Sequence, residues 1–127
     1  MSEILVDTDV MIDFFRNQAA AVAFIRKNAG RLALSAVTEA ELYSGVRDAK
    51  ERQALETFLG LIPVIPVNRE IARVAGLLRR DFGKATKIGL GDALIAATCQ
   101  VGRLRLHTLN TKHFPMLPDV VRPYRKN

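Results

Sequence analysis

The chain has 127 residues, of which 49% are hydrophobic, and carries a formal net charge of +6. This length and composition predict one domain spanning residues 1–127 and exclude an intrinsically disordered chain. No apolar run approaches the roughly 18 residues of a membrane span, no signal-peptide h-region follows Met1, and the lone Cys99 excludes an intrachain disulfide. We therefore expect a cytoplasmic protein with no membrane association.

The basic balance, 19 Lys and Arg against 13 Asp and Glu, favours polyanionic partners: nucleic acid or an acidic protein segment. A basic protein without an anionic ligand is the alternative. The bases are spread along the chain, with clusters at Arg79-Arg80, Lys84, Lys87, Arg103, Arg105, Lys112 and 122–126. Several acids lie beside apolar runs, and a basic surface around a small acidic site suits an enzyme that attracts a polyanion.

Hydrophobic periodicity divides the chain into alternating strands and helices. In chain order we predict a strand at 3–7, helices at 9–16 and 18–29, a strand at 32–34, helices from Ser35 or Thr38 to about 48 and at 50–60, a strand at 63–67, a helix at 68–82, a loop at 83–91, a helix at 92–101, and strands at 104–109 and 120–121. Thr8 is predicted to cap the first helix, and Asn68 to cap the helix at 68–82.

This alternation predicts an α/β fold with a central, mostly parallel sheet of four to five short strands flanked by helices on both sides. In such sheets ligands bind outside the carboxyl ends of the strands. That edge should carry Asp7, Ser35 and the segment 108–110, and Asp92 opens a helix that leads back to the sheet.

Three carboxylates near this edge have both a structural and a functional interpretation. Asp7 is a turn or capping residue or a metal ligand, and a cap already supplied by Thr8 favours the second. Glu41 completes a capping box with Thr38 or faces the same edge as Asp7. Asp92 stabilises a helix dipole or needs a cation, because the helix that follows it is apolar.

The other candidate groups are predicted to be structural. Asp9 lies in a first helical turn, Asp13 is expected to pair with a basic residue, and Asp119 lies in a turn. His107 and His113 are isolated, and no zinc spacing, phosphate loop or nucleophile elbow is present.

The combination of Asp7, Glu41 and Asp92 carries more weight than any one of them. Three acids from separated segments can converge at one sheet edge, where their like charges would repel. A hard divalent cation such as Mg²⁺ or Mn²⁺ resolves this repulsion, because it prefers carboxylate oxygen and retains several waters.

Four segments resemble the motifs of the PIN-domain ribonucleases, specifically the VapC-type toxins of bacterial and archaeal toxin–antitoxin pairs. They are LVDTDVMIDFF with Asp7, SAVTEAELYSGV with Glu41, GLGDALIAATC with Asp92, and LHTLNTKHF. The resemblance covers nearly the whole chain, with the four motifs in order. One departure is Asn110, which stands where many members of the family carry a fourth acid.

The resemblance implies a Mg²⁺-dependent endoribonuclease, in which Mn²⁺ can substitute. Asp7, Glu41 and Asp92 are then the catalytic and metal-holding residues, and a metal-activated water cleaves the RNA phosphodiester bond to leave a 5′-phosphate. Glu41 is the candidate that accepts the proton of this water. Thr8, Thr108 and Asn110 are candidate positioning groups.

The resemblance also implies protein partners. Such toxins dimerise and are silenced by a cognate antitoxin, which forms a heteromer with the toxin and covers the acidic site. The apolar helices at residues 9–24 and 41–61 are candidates for the antitoxin groove, although their apolar faces can equally be core.

Two other interpretations compete with this one. A haloacid-dehalogenase-like phosphatase would use Asp7 as nucleophile and Asp9 as general acid, but Met11 breaks its motif and Glu41 has no role in it. A PIN-fold module that binds RNA or protein without cleaving it is supported by the missing fourth acid at Asn110.

Overall fold

The computed structural model describes residues 2–125, and its centre is a four-stranded parallel sheet. The strands are β1 (Ile4–Val6), β2 (Leu32–Ser35), β3 (Val64–Ile65) and β4 (Arg105–His107), in the order β3-β2-β1-β4. The α-helices are α1 (Thr8–Phe15), α2 (Ala19–Lys27), α3 (Ala36–Ser44), α4 (Ala49–Leu59), α5 (Arg69–Thr86) and α6 (Leu90–Gly102), followed by a 3₁₀ turn at Thr111–His113. The predicted α/β class and parallel sheet are confirmed.

Both faces of the sheet are buried, as expected for parallel strands joined by helical crossovers. Side chains alternate along each strand, so Leu5, Ala33 and Leu106 join one core with α5 and α6. Ile4 and Leu34 join the other core with helices from the segment between α1 and α4. This two-sided burial explains why the strands are short continuous apolar runs, and it confirms the prediction of helices on both sides.

Two predicted helix ends are wrong, because α5 runs longer and α3 ends sooner than predicted. α5 continues through Lys84 to Thr86, so the predicted loop at 83–91 is reduced to a short turn in which Lys87 adopts a left-handed conformation (φ 55°). α3 ends at Ser44, because the chain turns at Gly45. Asn68 does cap α5, since its Oδ1 accepts a hydrogen bond from the Ile71 amide at 2.8 Å.

The start of α1 differs from its predicted form, and α3 starts at Ser35, one of its two predicted starts. Asp7, not Thr8, caps α1, and Thr8 is the first helical residue. Ser35 caps α3 by accepting a hydrogen bond from the Val37 amide at 3.0 Å, so the capping-box interpretation of Thr38 is wrong. Both corrections release a threonine hydroxyl for other contacts.

The C-terminal segment closes the sheet instead of forming a full strand. Val121 makes a single parallel bridge to His107. Tyr124 then donates a hydrogen bond from its hydroxyl to Asp13 Oδ2 at 2.8 Å, and Asp13 is buried on α1. Within residues 2–125 no helix is both long and apolar enough to cross a membrane.

The contact between Tyr124 and Asp13 is expected to stabilise the fold. Tyr124→Phe removes a donor from a buried carboxylate and should lower the free energy of unfolding by about 1.5–3 kcal/mol, measured by urea denaturation. Tyr43→Phe is the matched control, because Tyr43 packs against the same core and its hydroxyl has no hydrogen-bond partner within residues 2–125. Equal losses in the two variants would show that the bond contributes nothing.

Candidate active site

Asp7 lies where β1 ends and α1 begins, at the carboxyl edge of the sheet. Its carboxylate is buried, with 6% of the residue exposed. Oδ1 accepts a hydrogen bond from the Thr8 amide at 2.8 Å, and Oδ2 accepts one from Thr108 Oγ1 at 2.7 Å. Thr108 follows β4, and the pairing of β1 with β4 sets the two side chains next to each other.

The environment of Asp7 opposes its ionisation. Burial is the main cause, followed by the charge of Asp9 and then that of Asp92, and together they raise the pKa of Asp7 from 3.8 to about 7. The hydrogen bonds from Thr108 and the Thr8 amide offset this only in part. Within residues 2–125 no Lys, Arg or His forms an ion pair with Asp7. The site therefore lacks a positive charge that an ionised Asp7 would need.

Glu41 reaches the same edge from α3. Its side chain is on the surface, and its Oε1 accepts a hydrogen bond from Thr8 Oγ1 at 2.6 Å. The same hydroxyl lies 3.0 Å from Thr38 Oγ1, so Thr38 supports Thr8 from the buried side of α3. Thr8 therefore connects Glu41 to Asp7, because its hydroxyl donates to Glu41 and its backbone amide donates to Asp7.

Asp92 lies in the first turn of α6 and is half-buried. Its charge acts on Asp7, and its Oδ2 lies 3.8 Å from His113 Nδ1. The preceding residue, Gly91, is close to Glu41: a β-carbon built on it would lie 3.9 Å from Glu41 Oε2. The structure thus brings all three sequence-predicted acids to one edge.

Asp9 belongs to this edge as well, although its position in a first helical turn favours a structural role. Its Oδ2 accepts a hydrogen bond from the Leu109 amide at 3.0 Å and lies 3.3 Å from Thr108 Oγ1. Burial raises its pKa. The available signal was the spacing of Asp7 and Asp9, two residues apart at a strand–helix junction.

Asn110 contacts the site through its backbone. Its amide donates a hydrogen bond to Thr108 Oγ1 at 3.0 Å, while the residue itself is exposed. Thr108 Oγ1 therefore lies among the carboxylates of Asp7 and Asp9 and the amide of Asn110. This geometry fixes the orientation of the Thr108 hydroxyl that donates to Asp7.

The donors at this edge suit a hard cation. They are carboxylate and hydroxyl oxygens, which Mg²⁺ and Mn²⁺ prefer. Within residues 2–125 no three His, Cys, Asp or Glu side chains are grouped closely enough to hold an ion directly. A cation that keeps several of its waters fits this spacing better than one that is fully stripped of them.

An α/β domain with acids at the carboxyl edge of a parallel sheet has known counterparts. The PIN domain family matches residues 4–116. Ribonuclease VapC10 of Mycobacterium tuberculosis is 44% identical over 125 residues, covering 95% of this chain and 92% of that protein. Ribonuclease VapC19 of the same organism is 37% identical, covering 94% and 98%.

A solved toxin–antitoxin complex from Klebsiella pneumoniae contains a chain with the same fold. The TM-score is 0.85 at 32% identity, covering 98% of this chain and 100% of that one. The chain therefore belongs to the PIN-domain family, among its VapC proteins. The predicted resemblance is confirmed, and the haloacid-dehalogenase interpretation is wrong.

The raised pKa of Asp7 predicts how stability depends on pH. Between 3.8 and about 7 the folded protein retains a proton that the unfolded chain releases, so this group lowers the free energy of unfolding as pH rises through that range. In metal-free buffer at about pH 8, Asp7→Asn should therefore be more stable than the wild type, by up to about 4 kcal/mol.

The comparison is made by urea denaturation at two pH values. At about pH 5 most Asp7 side chains are neutral, like the asparagine that replaces them, so the difference should shrink. Asp119→Asn provides the control, because Asp119 lies on the surface beside Arg105. An Asp7→Asn variant that is no more stable than the wild type at the higher pH would contradict this account.

Proposed function

We propose that this chain is a Mg²⁺-dependent endoribonuclease, with Mn²⁺ able to substitute, and the toxin of a toxin–antitoxin pair. The observation that carries the proposal is the buried Asp7 carboxylate, which lies near Asp9 and Asp92 without an ion-pair partner within residues 2–125. The relatives of this chain are named as ribonucleases, and its net charge of +6 suits an RNA substrate.

In this proposal Asp7, Glu41 and Asp92 hold the cation, directly or through water. A bound divalent ion lowers the pKa of a coordinated water and neutralises charge that develops on the phosphate. Glu41 accepts the proton of the attacking water, since it is the exposed acid of the three. Hydrolysis leaves a 5′-phosphate and a 3′-hydroxyl and does not use the 2′-hydroxyl.

The hydroxyl of Thr8 orients Glu41 for this step. Thr8→Val removes the hydrogen bond to Glu41 Oε1 but keeps the shape of the side chain. We expect kcat to fall roughly ten- to a hundred-fold with KM nearly unchanged, because the carboxylate is no longer held in place. Thr8→Ser retains the hydroxyl and should restore most of the rate, and equal rates for the two variants would contradict this role.

An antitoxin segment is proposed to bind in a groove between α1, α3 and α4. The cavity has a volume of about 340 Å³, is lined by Ile12, Phe15, Val46 and Leu55 among others, and reaches Glu41. Ile12 is 37% exposed, although it is a large apolar residue. A segment bound here would lie beside Glu41, as a protein that silences the site requires.

We also propose that the chain forms a homodimer.

The main test is RNA cleavage by the purified chain without antitoxin. With Mg²⁺ the wild type should cleave total cellular RNA, and EDTA should abolish cleavage. Asp7→Asn should lower the rate by at least about a hundredfold, because it removes a metal-holding charge. Induced expression of the wild type alone should arrest growth.

Asp119→Asn is again the control, since it makes the same chemical change on the surface beside Arg105, at the amino end of β4. It should cleave RNA at the wild-type rate. A folded Asp7→Asn protein that cleaves RNA as fast as the wild type would contradict the proposed metal site.

A second candidate function is RNA or protein binding without cleavage. Asn110 favours it, because an exposed amide stands where many members of the family carry a fourth acid. The same assay separates the two functions. RNA binding with no cleavage in either Mg²⁺ or Mn²⁺ would support the binding module.

A further inference from the structure

A basic groove runs along the second half of α5 towards the start of α6. It has a volume of about 580 Å³. Four exposed cationic side chains and two glycines line it: Arg79, Arg80, Lys84, Lys87, Gly76 and Gly83. We call this surface the α5 groove. Among the described residues that line it, none is acidic.

The two glycines are unusual in the middle of a helix. Glycine is less favourable there than alanine, and a β-carbon added to Gly76 would meet no atom within 4 Å. At Gly83 the nearest atom would be Arg79 Cγ at 3.6 Å, an ordinary contact. Packing within the chain therefore does not require either glycine. Their absent side chains leave room for another molecule to approach the helix between the cations.

The α5 groove ends beside the acidic edge. Leu90, the first residue of α6, lines the groove and is 53% exposed. Gly91 follows it and lies close to Glu41, and Asp92 is the next residue. An RNA strand that runs from the acidic edge past Leu90 therefore enters the α5 groove directly.

Charge determines what the groove can hold. The acids at the sheet edge repel phosphates, so an RNA strand needs cations next to them to remain bound. Asp81 pairs with Arg80 at 2.9 Å, and the groove still carries the charges of Arg79, Lys84 and Lys87. Packing this surface against the same surface of a second copy would bring like charges together.

We propose that the α5 groove binds the backbone of single-stranded RNA next to the scissile phosphate, with Leu90 as an apolar contact for a base. This assignment rests on the proposed function, because it takes RNA as the substrate. The cations supply salt-dependent affinity, and Gly76 and Gly83 allow the sugar-phosphate chain to approach the helix.

The test measures RNA binding in the Asp7→Asn background, which prevents cleavage. The probe is a fluorescein-labelled oligouridylate of about 12 nucleotides, followed by fluorescence anisotropy over a salt series. For the pair Arg79→Gln/Lys84→Gln we expect Kd to rise about tenfold and the salt slope to fall by about 1.4, the value for two lost phosphate contacts.

The matched control is Arg26→Gln/Lys27→Gln. It removes one arginine and one lysine from the end of α2, next to the amino edge of the sheet. Its Kd and salt slope should stay close to those of the parent. If the groove pair and the control pair bind equally, or if the parent does not bind the probe, the assignment is wrong.

Gly76→Ala gives an independent test that misfolding cannot imitate. The substitution should raise the melting temperature, because alanine favours the helix and its β-carbon meets open space. It should also weaken RNA binding, because the new methyl group occupies the floor of the groove. A more stable variant with unchanged affinity would overturn the proposal.

Two further readouts separate this proposal from its alternatives. If sedimentation shows that the groove pair changes the oligomeric state, the groove is an interface between copies and the assignment is wrong. If the wild type cleaves RNA but the groove pair binds like the control, only the groove assignment fails. If the wild type does not cleave and the groove pair still loses affinity, the groove stands and the hydrolysis proposal fails.

Discussion

The hydrogen bond from Thr108 Oγ1 to Asp7 Oδ2 connects the candidate chemistry to the sheet. Val6 pairs with His107 across β1 and β4, so the next residue on each strand reaches the carboxyl edge beside its neighbour. The Thr108 amide in turn donates to the Val121 carbonyl at 2.9 Å, which closes this end of the sheet. Asp7 therefore acquires its partner only when the first and last strands of the chain have paired. The site is a product of the completed fold and cannot form from the N-terminal segment alone.

This arrangement places a stability cost at the site. A buried carboxylate with other acids nearby is unfavourable unless a cation compensates for it, and the main compensation within the described residues comes from the Thr108 hydroxyl and the Thr8 amide. The chain has a net charge of +6, yet no base forms an ion pair with Asp7 among residues 2–125. A lysine there would stabilise the fold and occupy the place of a cation. An edge at which no described base pairs with Asp7 is consistent with a site that accepts a metal and a polyanion together.

The sequence predicted the positions of the acids better than their partners. Asp7 follows an apolar run, so its place at a strand end could be inferred from local pattern alone. The role of Thr8 could not, because Asp7 and Thr8 are both good capping residues and the exit direction of β1 decides between them. Local pattern predicts only a first-turn position for Asp9, because its partners, Thr108 and the Leu109 amide, lie at the other end of the sequence. Contacts of that range depend on strand order, which a single sequence with short strands does not determine.

The same limit explains the error in α5, and it bears on function. Glycine and lysine at 83–84 indicated a loop by local preference, whereas the helix continues because α5 and α6 share one core, in which Phe82 and Ile88 take part. The continuation aligns Lys84 with Arg79 and Arg80 and so completes the α5 groove. Under both proposals the substrate reaches the edge from α5 and the antitoxin from the groove at α1, α3 and α4, and the two surfaces meet where Gly91 lies near Glu41. An antitoxin segment therefore needs to cover only that junction to exclude RNA, while most of the basic surface stays exposed.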